Sequence, residues 1–263
     1  MPFKDQTVWI TGASSGIGKA LALAFASRGA NLILSSRNHE KLEAVKAACP
    51  DDVQVWIEPM DTSDYDSIPA IAERVLREVG PVDILVNNAG ISQRGIVSET
   101  PIEIDRRIMD TNFFGSVALT KAVLPLMLKR GTGKIVVISS LTGKFGTPLR
   151  SAYAASKHAL HGYFDSLRAE VHDAGLRVLL VCPGFIRTDV SMNALKSDGS
   201  PQNKLDDAQA GGMSPDVLAE KILRAIERDK LEVYFGGKEI LGIYLKRFFP
   251  RFFANYIRKA KVT

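Results

Sequence analysis

Residues 151–158 read SAYAASKH, which places Tyr153 and Lys157 four positions apart in a run of otherwise small side chains. On a helix these two are neighbours on one face, a turn apart. A phenol that ordinarily titrates near 10 is a poor proton donor or acceptor at neutral pH. An adjacent ammonium favours the phenolate and lowers that value. Moving it to about 7 takes roughly 4 kcal/mol, within reach of a cation held in a desolvated cleft. Many helices carry a tyrosine and a lysine at this spacing, so the pair needs company before it signifies chemistry.

Company is present. VISS ends a strand-like run at Ser140, thirteen residues before Tyr153, so strand end and helix start can meet at one sheet edge. A serine there is suited to hydrogen-bond a carbonyl oxygen while Tyr153 supplies the proton. Asn112, in MDTNFFG inside a long helical pattern, is a poor helix former. The reading is that it bridges a water to Lys157, the bland alternative being a surface asparagine. CPGFIRT (182–188) follows another strand-like run and offers a backbone turn, through Pro183, Gly184 and Ile186, and the Thr188 hydroxyl to a nicotinamide amide.

The partner chemistry lies nearer the start. TGASSGIG (11–18) sits between the first strand pattern and the first helix pattern, with glycines at 12, 16 and 18 and Ser14, Ser15 and Ile17 between them. Gly12 allows the tight turn, Gly16 close approach of a pyrophosphate, and Gly18 close packing of helix on strand. In dinucleotide sites the second strand ends in an acid that binds the adenosine ribose when the cofactor is NAD. Here that place holds Ser36 followed by Arg37, which suits the 2′-phosphate of NADP(H). Asp61 is placed to bind the adenine amino group, its alternative being a solvated turn. Asn88, Ala89 and Gly90 of NNAG offer small side chains and backbone for a ribose to lie against.

These segments must be carried by elements that converge. TVWIT (7–11), NLILSS (31–36), VQVWI (53–57), VDILVNN (82–88), KIVVISS (134–140) and LRVLLV (176–181) are continuous apolar runs of the kind covered on both faces in a parallel sheet. Helical patterns such as KALALAFASRG and AIAERVLREVG alternate with them and end in glycine. Such alternation predicts an α/β, doubly wound sheet with right-handed crossovers, its seventh strand at LEVYFGG (231–237). The predicted organisation is one catalytic domain over 1–237 and a helical tail over 238–263. Within the domain, the polar, Gly/Ser/Asp-rich stretch 188–213 reads as a lid over the ligand edge of the sheet.

Composition bounds the function. The chain has 263 residues, two cysteines (Cys49 and Cys182) without metal-ligand spacing, and a start, MPFKDQTVWITG, that enters a strand at once. A reduced, cytoplasmic protein without a metal and without a leading apolar segment is the expectation. The formal net charge is +5, yet Lys246, Arg247, Arg251, Arg258, Lys259 and Lys261 alone carry +6 within 246–261, which leaves the rest near neutral. Basic charge confined to a tail argues against nucleic acid as a partner. In the tail, Ile240, Leu241, Tyr244, Leu245, Phe248, Phe249, Phe252, Phe253 and Tyr256 recur at helical spacing and Pro250 breaks the helix in two. Three roles suit that stripe: packing on the domain or a second subunit, peripheral contact with a membrane through 240–261, and walling an apolar substrate pocket.

Taken in this order and spacing, TGASSGIG, NNAG, the Asn112 segment, ISS, YAASK and PGFIRT resemble the short-chain dehydrogenase/reductase superfamily over about residues 6–190. The resemblance implies a Rossmann-type single domain with a seven-stranded parallel sheet of order 3-2-1-4-5-6-7. It implies a tetrad of Asn112, Ser140, Tyr153 and Lys157, all present. In that tetrad Tyr153 is general acid/base and Ser140 holds the carbonyl. Lys157 binds ribose hydroxyls and tunes Tyr153, and Asn112 keeps a relay water. It also implies NADP(H) as cofactor, a homodimer or homotetramer built on the helices near 101–129 and 151–173, and hydride transfer between a ketone or aldehyde and an alcohol. The tail is similar to that of steroid-, retinoid- and lipid-acting members and unlike the short glycine-rich ending of 3-oxoacyl thioester reductases. The small-molecule substrate is accordingly expected to be apolar. A nucleotide-binding scaffold without turnover is the alternative of a different class.

Overall fold

Seven apolar runs become seven strands. In the computed structural model, which describes residues 1–260, these are β1 (Thr7–Thr11), β2 (Asn31–Ser35), β3 (Val55–Ile57), β4 (Ile84–Asn87), β5 (Gly133–Ile138), β6 (Leu176–Pro183) and β7 (Glu232–Phe235). They pair in the order 3-2-1-4-5-6-7, every pair parallel. Side chains alternate between the faces, so a continuous apolar run supplies two cores at once. Val8, Ile10, Leu32, Leu34, Val86 and Val136 face α1 (Gly16–Ala26) and α8 (Pro215–Glu227). Trp9, Ile33, Leu85, Ile135 and Val137 face the other way, onto α3 (Ile68–Glu78), α5 (Gly115–Arg130) and α6 (Ser151–Val171). The short α2 (His39–Lys46) lies between β2 and β3, started by the Asn38 side chain, which accepts from Lys41 N.

The long helix expected around Asn112 is not regular. α4 (Ile102–Met109) runs into a π-helical turn, Asp110–Phe114, before α5 begins. The whole segment Ile102–Arg130 is long and apolar enough to cross a membrane. Its apolar residues Leu119, Val123 and Met127 are instead buried on the sheet beside α3 and α6.

The 188–213 stretch is not structureless. Its Leu195–Lys196 pairs in parallel with Gln93–Arg94, Ile186 bridges to Met213, and Asp207–Ala210 forms the short α7. In the tail, α9 (Leu241–Phe248) and α10 (Pro250–Ile257) meet at Phe249, whose φ of −132° and ψ of 59° leave the helical region just before Pro250. Both pack on the ends of β6 and β7 through a small cluster of Leu141, Phe145, Cys182 and Phe253. Cys49 and Cys182 are free thiols; Lys261 lies outside the described residues.

Gly115 opens α5 with its Cα against the chain of Thr62: a Cβ there would lie 2.1 Å from the Thr62 carbonyl oxygen. Helix propensity alone gives Gly→Ala a gain of about 1 kcal/mol. The close approach reverses the sign, and Gly115→Ala is expected to cost roughly 1–3 kcal/mol. A fall in the urea midpoint at unchanged m-value is the readout; a rise would show that α5 shifts freely away from Thr62.

Candidate active site

Thr11 ends β1 and stitches two loops together. Its hydroxyl accepts from Asn88 N and Ala89 N, both at 3.0 Å, and donates to Val86 O. In return, Asn88 Nδ2 donates to Thr11 O at 2.9 Å and Gly12 O at 3.2 Å. A Cβ on Gly18 would fall 2.2 Å from Gly12 O, so that approach of helix to strand excludes any side chain. Gly12 and Gly16 adopt positive φ, 64° and 54°. Ser15 begins α1 without a side-chain cap, leaving the first backbone N–H groups for an anion. Thr188 packs its methyl beside Gly16, so the PGFIRT turn flanks the glycine loop, with Ser14 and Ile17 half-buried along it. Pro183 and Ile186 are buried in the fold, and Gly184 backs onto the Glu239 carboxylate. The resulting groove floor is bare backbone, which fits a dinucleotide.

At its far end Arg37 is exposed. The Ser36 hydroxyl is turned to its own loop, accepting from Asn38 N at 3.3 Å. Asp61 is committed to a turn: one carboxylate oxygen accepts from Ser63 N at 2.9 Å and Ser63 Oγ at 2.7 Å. Burial raises its carboxyl, but those bonds and the charges of Arg37 and Arg107 outweigh burial and hold it below the usual range.

The second cluster is carried by β5 and α6. Ser140 Oγ accepts from Thr142 N at 3.2 Å and Thr142 Oγ1 at 2.9 Å, and is hydrogen-bonded with the half-buried Tyr153. Lys157 Nζ lies 5.7 Å from the Tyr153 ring centroid and donates to Ile138 O at 2.9 Å. Burial pulls this lysine down to about 8. Together these segments are diagnostic of one family: residues 6–199 match the short chain dehydrogenase sequence family.

The chain belongs to the short-chain dehydrogenases. It is 45% identical to a dehydrogenase/reductase SDR family protein 7-like of Drosophila melanogaster, over 98% of this chain and 81% of that one. It is 42% identical to the dehydrogenase/reductase SDR family member 7B of Xenopus tropicalis, over 97% and 85%. A solved short-chain dehydrogenase from Streptomyces avermitilis superposes with a TM-score of 0.83 at 31% identity, covering 97% of each chain. The chain is thus an oxidoreductase with a nicotinamide-cofactor fold.

Two side chains of this dehydrogenase make contacts that the sequence did not show. Asn112 is not at a helix surface, and its amide is already committed. It is fully buried in the π turn, where Oδ1 accepts from Ile91 N at 2.8 Å and Nδ2 donates to Ile91 O and to Ser156 Oγ, both at 3.0 Å. The side chain therefore clamps the loop after β4 to α6, with Lys157 Nζ nearby across Gly90. Burial raises the Tyr153 phenol, and what opposes burial is the Ser140 hydrogen bond and the charges of Arg150 and Arg94. Lys157, its ammonium 5.7 Å from the phenol ring centroid, donates to the Ile138 carbonyl.

Those two arginines, with Gln93 and Asp206, escaped the sequence reading. Gln93 Oε1 accepts from Ala152 N at 2.8 Å and Tyr153 N at 3.3 Å, which fixes the start of α6. Buried Arg94 forks onto Asp206 through Nε at 3.0 Å and Nη2, while Arg150 Nη2 reaches the same carboxylate oxygen at 3.2 Å. Burial and Arg94 pull the Arg150 guanidinium down to about 10, against the opposing pull of Asp206. Asp206 belongs to the expected lid, so this carboxylate straps 188–213 to the catalytic helix. Nothing local in SQR or LDD marks such a pairing across 112 residues.

Behind Lys157, Ser139 Oγ donates to its carbonyl and meets His161 Nε2 at 3.0 Å. Burial, with Lys144 nearby, lowers His161 to about 4, so it stays neutral. Its Nε2 faces Cys182 Sγ at 3.6 Å and its Nδ1 faces Glu232 at 3.9 Å. One ligand atom from each of His161, Cys182 and Glu232 lies within 4.8 Å of the others, with the imidazole Nε2 already hydrogen-bonded to Ser139.

A cavity of about 470 Å³ opens from Ser140 and Tyr153 along Phe145 to the tail residues Leu245, Phe252 and Phe253. The tail therefore walls the pocket and packs on the domain at once. Asp206→Asn would leave two buried guanidiniums without their carboxylate, a loss on the order of 3–5 kcal/mol. The expected result is a lower unfolding midpoint together with rapid proteolytic nicking within 188–213; an unchanged digestion pattern would show that the strap does not hold the segment.

Proposed function

We propose that this dehydrogenase interconverts a ketone or aldehyde with its alcohol at Ser140 and Tyr153, uses NADP(H), and takes an apolar substrate. The observation that carries the reading is the cavity itself: its polar end is Ser140 and Tyr153, and its length is aromatic and aliphatic side chains from Phe145 and the two tail helices. A steroid-, retinoid- or lipid-like body suits such a wall through its apolar surface. A 3-oxoacyl thioester would need room for a large polar carrier, which the tail over this cavity disfavours.

The residues divide the work as follows. Ser140 already accepts two hydrogen bonds from Thr142, so its own proton is available to the substrate oxygen or to Tyr153. Tyr153 gives that oxygen a proton in reduction and takes it back in oxidation. The cofactor supplies or receives the hydride at the carbon. Bare backbone at Gly12, Gly18 and Gly90 would hold it, with Gly90 beside Asn112 and Lys157. Lys157 is placed to meet ribose hydroxyls at that point. At the adenosine end, β2 ends without a carboxylate, and exposed Arg37 is available to fork onto a 2′-phosphate. Asn112 and Gln93 position the loop and the helix rather than touch the substrate.

Titrating NADPH and NADH into the purified protein, followed by fluorescence, tests the cofactor. NADPH should bind more tightly, and Arg37→Ala should weaken NADPH about tenfold or more while leaving NADH unchanged. Equal NADH affinity in the unaltered protein would overturn the preference. Tyr153→Phe should lower turnover on apolar ketones by roughly 10²–10⁴ with NADPH binding retained. An undiminished cellular role in that variant would favour the scaffold reading.

The pH dependence follows from the charges around the phenol. Arg150 lowers Tyr153, so Arg150→Met should raise it. The deprotonated phenol is the base in alcohol oxidation, so the rising limb of that reaction should move to higher pH. A limb that stays in place would show that the guanidinium does not govern the phenol.

A further inference from the structure

The tail helices have two sides. Inward, Leu245, Phe253 and Ile257 line the cavity or pack beside it. Outward, Leu241, Tyr244 and Phe248 on α9, Phe249 at the break, and Phe252 and Tyr256 on α10 are each more than half exposed. Helical spacing puts Leu241, Tyr244 and Phe248 on one stripe of α9, and Phe252 and Tyr256, four apart, on one stripe of α10. Six large apolar side chains are left in water on sixteen consecutive residues, a density unlike the singly scattered exposed residues of an ordinary surface.

Charge surrounds this patch. Lys246, Arg247, Arg251, Arg258 and Lys259 are all exposed, and no acid occurs from residue 246 to 261. Among the described residues none of the five makes a salt bridge. The combination is an aromatic stripe with unneutralised cations around it, complementary to a surface that is apolar within and anionic at its face. Leu241, Phe252 and Tyr256 belong to both sides: they are exposed, and they line the cavity that leads to Tyr153.

We infer that α9 and α10 dock this enzyme on the face of an anionic lipid bilayer, and that the mouth of the catalytic cavity opens between them onto that bilayer. An apolar substrate would then pass from the acyl region to Ser140 without crossing water. The bilayer role rests on the tail alone; the passage of substrate rests on the proposed apolar pocket.

Co-sedimentation of the full chain with vesicles separates the two. Vesicles of phosphatidylcholine mixed with phosphatidylserine should carry the protein down, and pure phosphatidylcholine should carry far less. Phe248→Ser with Phe249→Ser, neither of which lines the cavity, should abolish that binding while turnover of a small water-soluble ketone stays unchanged. Arg247→Gln with Arg251→Gln and Lys259→Gln should lower the partition coefficient on the order of a hundredfold and flatten its salt dependence. Equal sedimentation of the aromatic variant, or equal binding to neutral vesicles, would overturn the inference. So would a dimer that the aromatic variant dissociates in the absence of any vesicle binding, since the patch would then face a second copy. None of these readings requires turnover, so a wrong substrate assignment leaves the docking result intact. Acceleration of an apolar ketone by the mixed vesicles, lost in the aromatic variant, would support the passage; no acceleration despite binding would overturn that part alone.

Discussion

Parallel pairing is the constraint from which the site follows. All seven strands run one way, so the C-terminal ends of β1, β2, β4, β5 and β6 fall on a single edge. The glycine loop, Arg37, the Asn88 loop, Ser140 and the Thr188 turn each leave one of those ends. Their separation in sequence then costs nothing in space. The Thr11 and Asn88 side chains tie the two central loops together at about 3 Å, which leaves no freedom for the backbone groove to widen. Antiparallel pairing of the same runs would have distributed these residues over both edges.

Around Tyr153 the electrostatics are set by buried groups that each have a partner. Lys157 spends its ammonium on the Ile138 carbonyl, Asn112 on the Ile91 backbone, and the two arginines on Asp206. Burying charge is expensive unless it is paired, and a cluster of two guanidiniums and one carboxylate keeps one net positive charge within reach of the phenol. The strap that holds 188–213 and the field that opposes the burial of Tyr153 are thus the same residues.

The tail shows how one element can serve a core and a surface together. Pro250 forces a break, and the break gives two short helices in place of one long one. α10 turns Phe253 inward onto Phe145 and α9 turns in Ile243 and Leu245, while their other aromatics stay in water. A straight helix of this composition would have presented one stripe to one neighbour.

How much of this could be read before folding depends on the range of the interaction. The strands were legible because a continuous apolar run buried on both faces carries its own signature. Helix ends and the Tyr153–Lys157 spacing were equally local, and the glycine loop announces itself because only glycine tolerates the 2.2 Å approach seen at Gly18. Asn112 was found by type, but its π turn and its bonds to Ile91 and Ser156 leave no mark in the spacing of its residues. Arg94, Arg150, Asp206 and Gln93 were not found at all. Each is an ordinary surface residue type, and only the crossing of β4, α6 and the 188–213 segment makes them buried and mutually compensating. The sequence by itself determined the family, the sheet and the positions of the reactive groups, because those rest on short-range sterics and periodicity. Which charges surround the phenol, and which tail side chains face the cavity, was decided by tertiary structure alone, because desolvation and Coulomb interaction depend on distance in space.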